Sequence, residues 1–374
     1  MSIQHKSVKQ QIQAYQHGSP LSLASTPPST WYTSSDIAKL ESDSVFGRNW
    51  IMAARVEQLM NHGDYLATKI AGQPIVLVNS IDGEGKSQIN GFYNVCRHHA
   101  AQVMKTGQGC TKKLICPYHA WSYNLDGSLS NAPKFEGVEK FNFKDHGLKP
   151  LRAEVWQKWV FITFDDTAPA LEEFLGDLVS QFEQLNISSM TFYKQAEYEL
   201  NCNWKVYVDN YLDGGYHVPI LHKGLSSALD NKFYKIENKD RYNLQSCPTK
   251  KRDNEFSNVR TGTARYYWQY PNIMFNLYEG IMGTMFIEPM GVDKCRVIFD
   301  YFFDDSKPQN TQEFKAHSVE VADKIQAEDA YVCESVQQGL ASNGYETGRL
   351  SVEKEAGEHL FHQLLYKDLI ATFN

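Results

Sequence analysis

Two short stretches constrain this chain more than any other feature: Cys96-Arg97-His98 and, after a gap of 17 residues, Cys116-Pro117-Tyr118-His119. Each offers one thiol and one imidazole, so the fold must bring two loops side by side. Together they can hold a [2Fe–2S] cluster, with two Cys on one iron and two His on the other. Neutral imidazoles remove negative charge from such a cluster, which then accepts an electron more readily than an all-thiolate one. The same four residues could hold zinc, or could be a chance grouping. Zinc sites, however, usually pair Cys with Cys and His with His, whereas both pairs here are mixed. On the cluster reading, electron transfer is the minimum expectation.

At 374 residues the chain has room for two domains with sizeable cores. A net charge of −7 without a basic tract argues against nucleic acid. No apolar run approaches the length of a membrane span, and there is no signal-peptide core. Residues 1–35 lack acids but also lack Arg, weak support for a transit peptide. Seven scattered Cys argue for a reducing compartment. The expected location is cytoplasmic, or the plastid stroma if the source is a photosynthetic eukaryote. Cys110 reads as a plain buried thiol.

From Ile51 to about Phe164, β-rich runs alternate with turn signals, including a hairpin around Asp82-Gly83 and a closing strand Trp156–Phe164. Gly85-Lys86-Ser87 lacks the earlier Gly and the following helix of a phosphate loop. Residues 25–33 read as an extended lead-in and 171–185 as an amphipathic helix. Strand-like runs at 264–268, 273–277, 284–287 and 296–303 precede a long helix over about 312–340 and a shorter one over about 353–369. An α+β architecture follows: residues 45–165 as a small all-β cluster domain, 166–374 as a second domain, and 1–44 as a lead-in belonging to it.

His217 and His222 lie five apart with Pro219 between them, so they do not share a regular helix face but can converge where a helix ends. Asp329 falls on the apolar stripe Val321, Ile325, Val332, Val336 and Leu340 of the long helix. A carboxylate there is unfavourable unless paired or metal-bound. It could be satisfied by Arg or a helix N-terminus. With an iron–sulfur cluster expected, the better match is mononuclear Fe(II) held by His217, His222 and Asp329, the two-His-one-carboxylate arrangement of non-haem oxygenases.

The motifs around Cys96–Tyr123, Asn203–Leu225, Tyr270–Asn276 with Arg296–Phe302, and Glu328–Leu340 resemble those of Rieske-type non-haem iron oxygenase α subunits, and most closely the choline monooxygenase group. The resemblance implies a Rieske domain, a helix-grip catalytic domain, O2 as co-substrate, and a head-to-tail homotrimer in which one subunit's cluster feeds the neighbour's iron. It also implies a bridging acid three residues before the first His ligand. Gly214 stands there, so Asp213 is the first candidate and Asp209 the second. No G-x-G-x-x-G opens a βα unit, so electrons must come from a separate NAD(P)H-dependent reductase or ferredoxin. The favoured reaction is choline to betaine aldehyde hydrate. The alternatives are N-demethylation of a betaine or carnitine-like compound and aromatic-ring dihydroxylation. Aromatic residues make up 13% of the chain. Tyr267, Trp268, Phe275 and Tyr278 are candidates for a pocket binding quaternary ammonium through cation–π attraction, with Glu279 or Glu288 as counter-charge. They also read as ordinary core aromatics.

Overall fold

The computed structural model describes residues 7–251 and 254–373. They divide into two units, one of residues 46–174 and one of the described residues before 46 and after 174.

In the first unit the apolar strand Gln73–Ile81 pairs with Ser87–Tyr93, placing Val78 opposite Asn90. Asp82 closes their turn by accepting from the backbone N–H groups of Glu84 and Lys86 at 2.9 and 2.8 Å. These strands sit inside an antiparallel sheet ordered Ile51–Arg55, Trp159–Thr163, Pro150–Trp156, Ser87–Tyr93, Gln73–Ile81, Asp64–Ile70, Gly107–Cys110. A small sheet of Leu114–Ile115, Ser122–Tyr123 and Leu129–Asn131 shares one core with it, in which Val76, Val78, Phe92, Trp121 and Tyr123 are buried. Two local expectations change. The closing strand is a hairpin: Gln157, with φ +54°, turns the chain so that Trp156 faces Trp159. Cys110 is exposed, because it ends a strand at the edge of the sheet.

The second unit is built on a seven-stranded antiparallel sheet. Its order is Met190–Leu200, Cys295–Asp304, Ile281–Pro289, Ile273–Tyr278, Thr263–Gln269, Tyr242–Pro248 and Lys235–Asn238. The helices Trp204–Leu212, Gln312–Leu340 and Ala356–Ala371 pack with this sheet and with one another. Thr311 caps the long helix, its hydroxyl accepting from Phe314 N. Helix Ser35–Ser44 is tied to Trp204–Leu212 by a buried ion pair, Glu41 to Lys205 at 2.6 Å, and Trp204 Nε1 donates to the same carboxylate at 2.9 Å. The α+β architecture is as expected. The lead-in is not wholly extended, since Thr30–Thr33 forms a helical turn. Gly176, at φ +55°, breaks the 171–185 helix into Leu171–Leu175 and Leu178–Glu183.

Candidate metal centres

The two Cys/His loops of the first unit are built alike. Cys96 N donates to Ala101 O and Cys116 N to Trp121 O, both at 2.8 Å. Ala100 N closes back on Cys96 O and Ala120 N on Cys116 O, with the two alanines at φ +60° and +58°. This left-handed turn, uncommon for a residue with a Cβ, folds each loop over so that its thiol and imidazole face the other loop. Cys96 and Cys116 are buried, and the His98 and His119 rings lie 4.7 Å apart. His98 stacks on Trp121 at 4.8 Å. Tyr123 OH sits 3.3 Å from Cys96 Sγ and accepts from Arg97 N at 3.0 Å.

These residues fit an iron–sulfur cluster on two observations. His98 Nδ1 is buried without a hydrogen-bond partner among the described residues, as expected of an atom meant for a metal. Burial, followed by neighbouring His99 and His119, lowers the His98 pKa, and burial raises that of the Cys116 thiol. Further, each loop contributes one buried thiol and one imidazole, the mixed pairing of a [2Fe–2S] cluster, whereas zinc sites usually pair like with like.

In the second unit the local sequence explains the His pair. Helix Trp204–Leu212 stops at Asp213, and Gly214 and Gly215 follow at φ +67° and +68°. A Cβ at Gly214 would lie 2.1 Å from Lys354 O, so only glycine fits this turn. The chain reverses and His217 and His222 flank the short helix Val218–Leu221, which begins with Pro at its second position. Asp213 pins the turn, accepting from Tyr216 N at 3.1 Å and His217 N at 2.9 Å.

His217, His222 and Asp329 bring ligand atoms within 4.8 Å of one another. Asp329 Oδ1 lies 3.0 Å from His222 Nε2 and 3.8 Å from His217 Nε2, and it accepts from Asn210 Nδ2 at 2.8 Å. The other nitrogen of each ring is held by a carboxylate: His217 Nδ1 by Asp213 at 2.5 Å and His222 Nδ1 by Glu328 at 2.6 Å. Both Nε2 atoms are thereby aimed at one point, the orienting arrangement typical of metal-bound imidazoles. Burial lowers the His222 pKa, but Asp329 and Glu328 outweigh it and the net direction is up. The donor set suits a divalent iron.

The sequence reading brought the triad together but missed Glu328 and Asn210. Glu328 had a signal, as the neighbour of a proposed ligand on the same motif. Asp213 touches His217. Asp209 instead accepts from Tyr32 OH at 2.7 Å and meets His362 Nε2 at 2.9 Å. Asp209, Glu358 and His362 also gather ligand atoms within 4.8 Å.

The triad opens onto a cavity of about 950 Å³, counting its mouth. Tyr207, Tyr211, Tyr234, Tyr266, Tyr278 and Tyr301 line it, and Arg260 is also in its wall. Their hydroxyls are engaged by the wall: Tyr211 with Asn276 at 2.8 Å, Tyr207 with Gln326 at 2.6 Å, Tyr266 with Tyr278 at 2.7 Å. Of the four aromatics picked from sequence, only Tyr278 lines the cavity. Tyr267 and Phe275 face the other side of the sheet, packing on Phe182. Side chains alternate along a strand, so their neighbours Tyr266 and Asn276 take the cavity face. Trp268 lies farther along, against Phe361 and Tyr270. Glu279 and Glu288 are not in the wall; they pair with Lys307 and Arg296.

Residues 49–142 match the Rieske [2Fe-2S] domain and residues 187–369 the ring hydroxylating alpha subunit (catalytic domain). The chain is 37% identical over 362 residues to choline monooxygenase, chloroplastic, of Arabidopsis thaliana, covering 94% of this chain and 84% of that protein. It is 30% identical over 353 residues to the carnitine monooxygenase oxygenase subunit of Acinetobacter pittii (strain PHEA-2), covering 92% and 93%. Among solved structures, a quaternary ammonium Rieske monooxygenase aligns with TM-score 0.84 at 26% identity, over 97% of this chain and 99% of that one. Naphthalene 1,2-dioxygenase from Rhodococcus sp. aligns with TM-score 0.74 at 19% identity over 92% and 94%, a likeness of fold alone. No helix among the described residues is long and apolar enough to cross a membrane.

Proposed function

The chain belongs to the Rieske non-haem iron oxygenases, alongside the choline and carnitine monooxygenases, and from that premise we propose that it hydroxylates a C–H bond of a small trimethylammonium compound. The observation that carries the reading is the convergence of His217, His222 and Asp329 on one point in the wall of a tyrosine-lined cavity. Residues 45–165 would receive electrons and the remainder would hold the mononuclear iron. Cys96 and Cys116 would bind one iron of the cluster, His98 and His119 the other, and His217, His222 and Asp329 the catalytic Fe(II). When bound, these groups supply single electrons and an O2-derived oxidant able to attack C–H bonds.

The protein's part is position and exclusion. Asp213 and Glu328 fix the tautomers of the two imidazoles, and Asn210 holds Asp329. The tyrosine rings keep bulk water from the reacting carbon and offer faces to the ammonium group, each contact contributing about 0.5–2 kcal/mol. Asp213, on the far side of His217 from the cavity's ligand point, is the acid placed to accept from a cluster imidazole, His98 or His119, of a neighbouring copy. This requires a homotrimer or another closed ring. A separate reductase or ferredoxin supplies electrons.

Two outcomes are open to the same site. Attack on the alcohol carbon of choline gives betaine aldehyde hydrate, and attack on an N-methyl group releases formaldehyde. The relatives' names include both substrate types. Replacing His217 or Asp329 by Ala should remove one iron per chain, abolish product formation and leave the visible cluster spectrum intact. Unchanged iron content in both variants would rule out the assigned ligands.

A further inference from the structure

A second cavity, of about 830 Å³ counting its mouth, reaches Asp213 and His217 as well. Asp209, Asp213, Glu355 and Glu358 line it, and among the described residues of its wall there is no Lys or Arg. Two of these carboxylates are engaged by the protein: Asp213 holds His217, and Glu355 accepts from Ser351 N. Lys205, which feels the Asp209 charge, is committed to Glu41 at 2.6 Å. Buried negative charges without a counter-ion are strongly unfavourable.

Glu358 is only 7% exposed, yet its carboxyl has no hydrogen-bond or ion-pair partner among the described residues. His362 follows four residues later on helix Ala356–Ala371 and so lies one turn along the same face. It is fully buried, and its Nδ1 has no hydrogen-bond partner among the described residues. From the packed helix Trp204–Leu212, Asp209 brings Oδ1 to 2.9 Å from His362 Nε2. That approach repeats the 3.0 Å between Asp329 Oδ1 and His222 Nε2 at the mononuclear centre. Asp209, Glu358 and His362 gather ligand atoms within 4.8 Å of one another, as the mononuclear triad does. The Tyr32 hydroxyl and His362 satisfy Asp209 by hydrogen bonds alone, but that network leaves Glu358 without a partner.

We propose that Asp209, Glu358 and His362 form a second metal site, separate from the mononuclear iron, for a first-row divalent cation such as Mn2+ or Zn2+. Two carboxylates and one imidazole are donors that such ions accept, and the ion's charge balances both carboxylates. The site is the weaker of the two. His362 lacks the carboxylate that orients His217 and His222, a support worth about 10–100-fold in metal affinity. The ion must also displace the proton that burial keeps on Glu358. Once bound, it ties Trp204–Leu212 to Ala356–Ala371 one residue from Asn210, which holds Asp329. The assignment does not depend on which substrate the iron site takes.

The test titrates Mn2+ into two proteins, the iron-loaded wild type and Asp329→Ala, with free Mn2+ counted by electron paramagnetic resonance. Each should take up one Mn2+ per chain, and each should melt higher with Mn2+ than without, since an ion that binds only the folded chain stabilises it. Glu358→Gln and His362→Gln should each lose both the uptake and the rise in melting temperature. The first two titrations stand as evidence even if a variant unfolds. No uptake by either protein would overturn the site. Uptake by wild type that is absent in Asp329→Ala would also overturn it, because the ion would then be entering the mononuclear centre. Uptake that persists unchanged in folded Glu358→Gln would remove these residues from the assignment.

Discussion

At the residue scale, each imidazole of the mononuclear site has its second nitrogen on a carboxylate, and that gives Asp213 two duties. It orients His217, and it is the proposed contact for a neighbouring cluster. Asp213→Asn should retain iron and cluster but reduce turnover about 10–100-fold, the usual range for groups that orient metal ligands; rapid-mixing reoxidation of the cluster would locate the slow step. Tyr123→Phe removes a hydroxyl 3.3 Å from Cys96 Sγ. Hydrogen bonds to cluster sulfur raise its potential, so redox titration should give a more negative midpoint in the variant. Glu358 supplies a pH prediction. Burial first, then the Asp209, Glu355 and Asp213 charges, hold its carboxyl well above the ordinary range. The folded chain keeps a proton that the unfolded chain has released, so stability falls as pH rises above the usual carboxylate pKa. Glu358→Gln should therefore melt higher than wild type at neutral pH, with the difference vanishing near about pH 4. The ligands were legible because metals demand particular atoms at short spacing. The cavity wall, Arg260 included, was not, because which side chains line it is visible only once the sheet and helices are folded.

At the scale of elements, glycines and a buried pair fix the second centre. The Gly214-Gly215 turn lets one helix end and the next ligand begin within a few residues. Helix Trp204–Leu212, which carries Asn210, is clamped to Ser35–Ser44 through Glu41 and Lys205. Glu41→Ala would leave Lys205 buried and unpaired, with an expected destabilisation of about 3–5 kcal/mol by denaturant unfolding. Sequence periodicity located the long helix and the central strands. It missed Met190–Leu200, whose exposed edge position lets Lys194, Glu197 and Glu199 interrupt the apolar pattern. It also merged a hairpin into one strand, since Gln157-Lys158 carries neither Gly nor Asn to mark the turn. The choice of Tyr267 and Phe275 over Tyr266 and Asn276 was an error of one residue in strand phase, which inverts which face looks into the cavity.

At the scale of the whole molecule, the two units fall to two tasks, electron entry and oxygen chemistry. If electrons cross between copies, complementation follows. A variant lacking the cluster (Cys96→Ser) and one lacking the mononuclear iron (Asp329→Ala) should each be inactive alone. Co-expressed and co-purified, they should recover a measurable part of wild-type turnover, whereas no recovery in proven mixed oligomers would place electron transfer within one chain. The most direct measurement is one turnover of the fully reduced, iron-loaded protein with O2 and either choline or a trimethylammonium carboxylate. The expected result is betaine aldehyde from choline or formaldehyde from the carboxylate, stoichiometric with mononuclear iron and lost in Asp329→Ala. Substrate recovered intact while the cluster is reoxidised, for both compounds alike, would contradict the central claim.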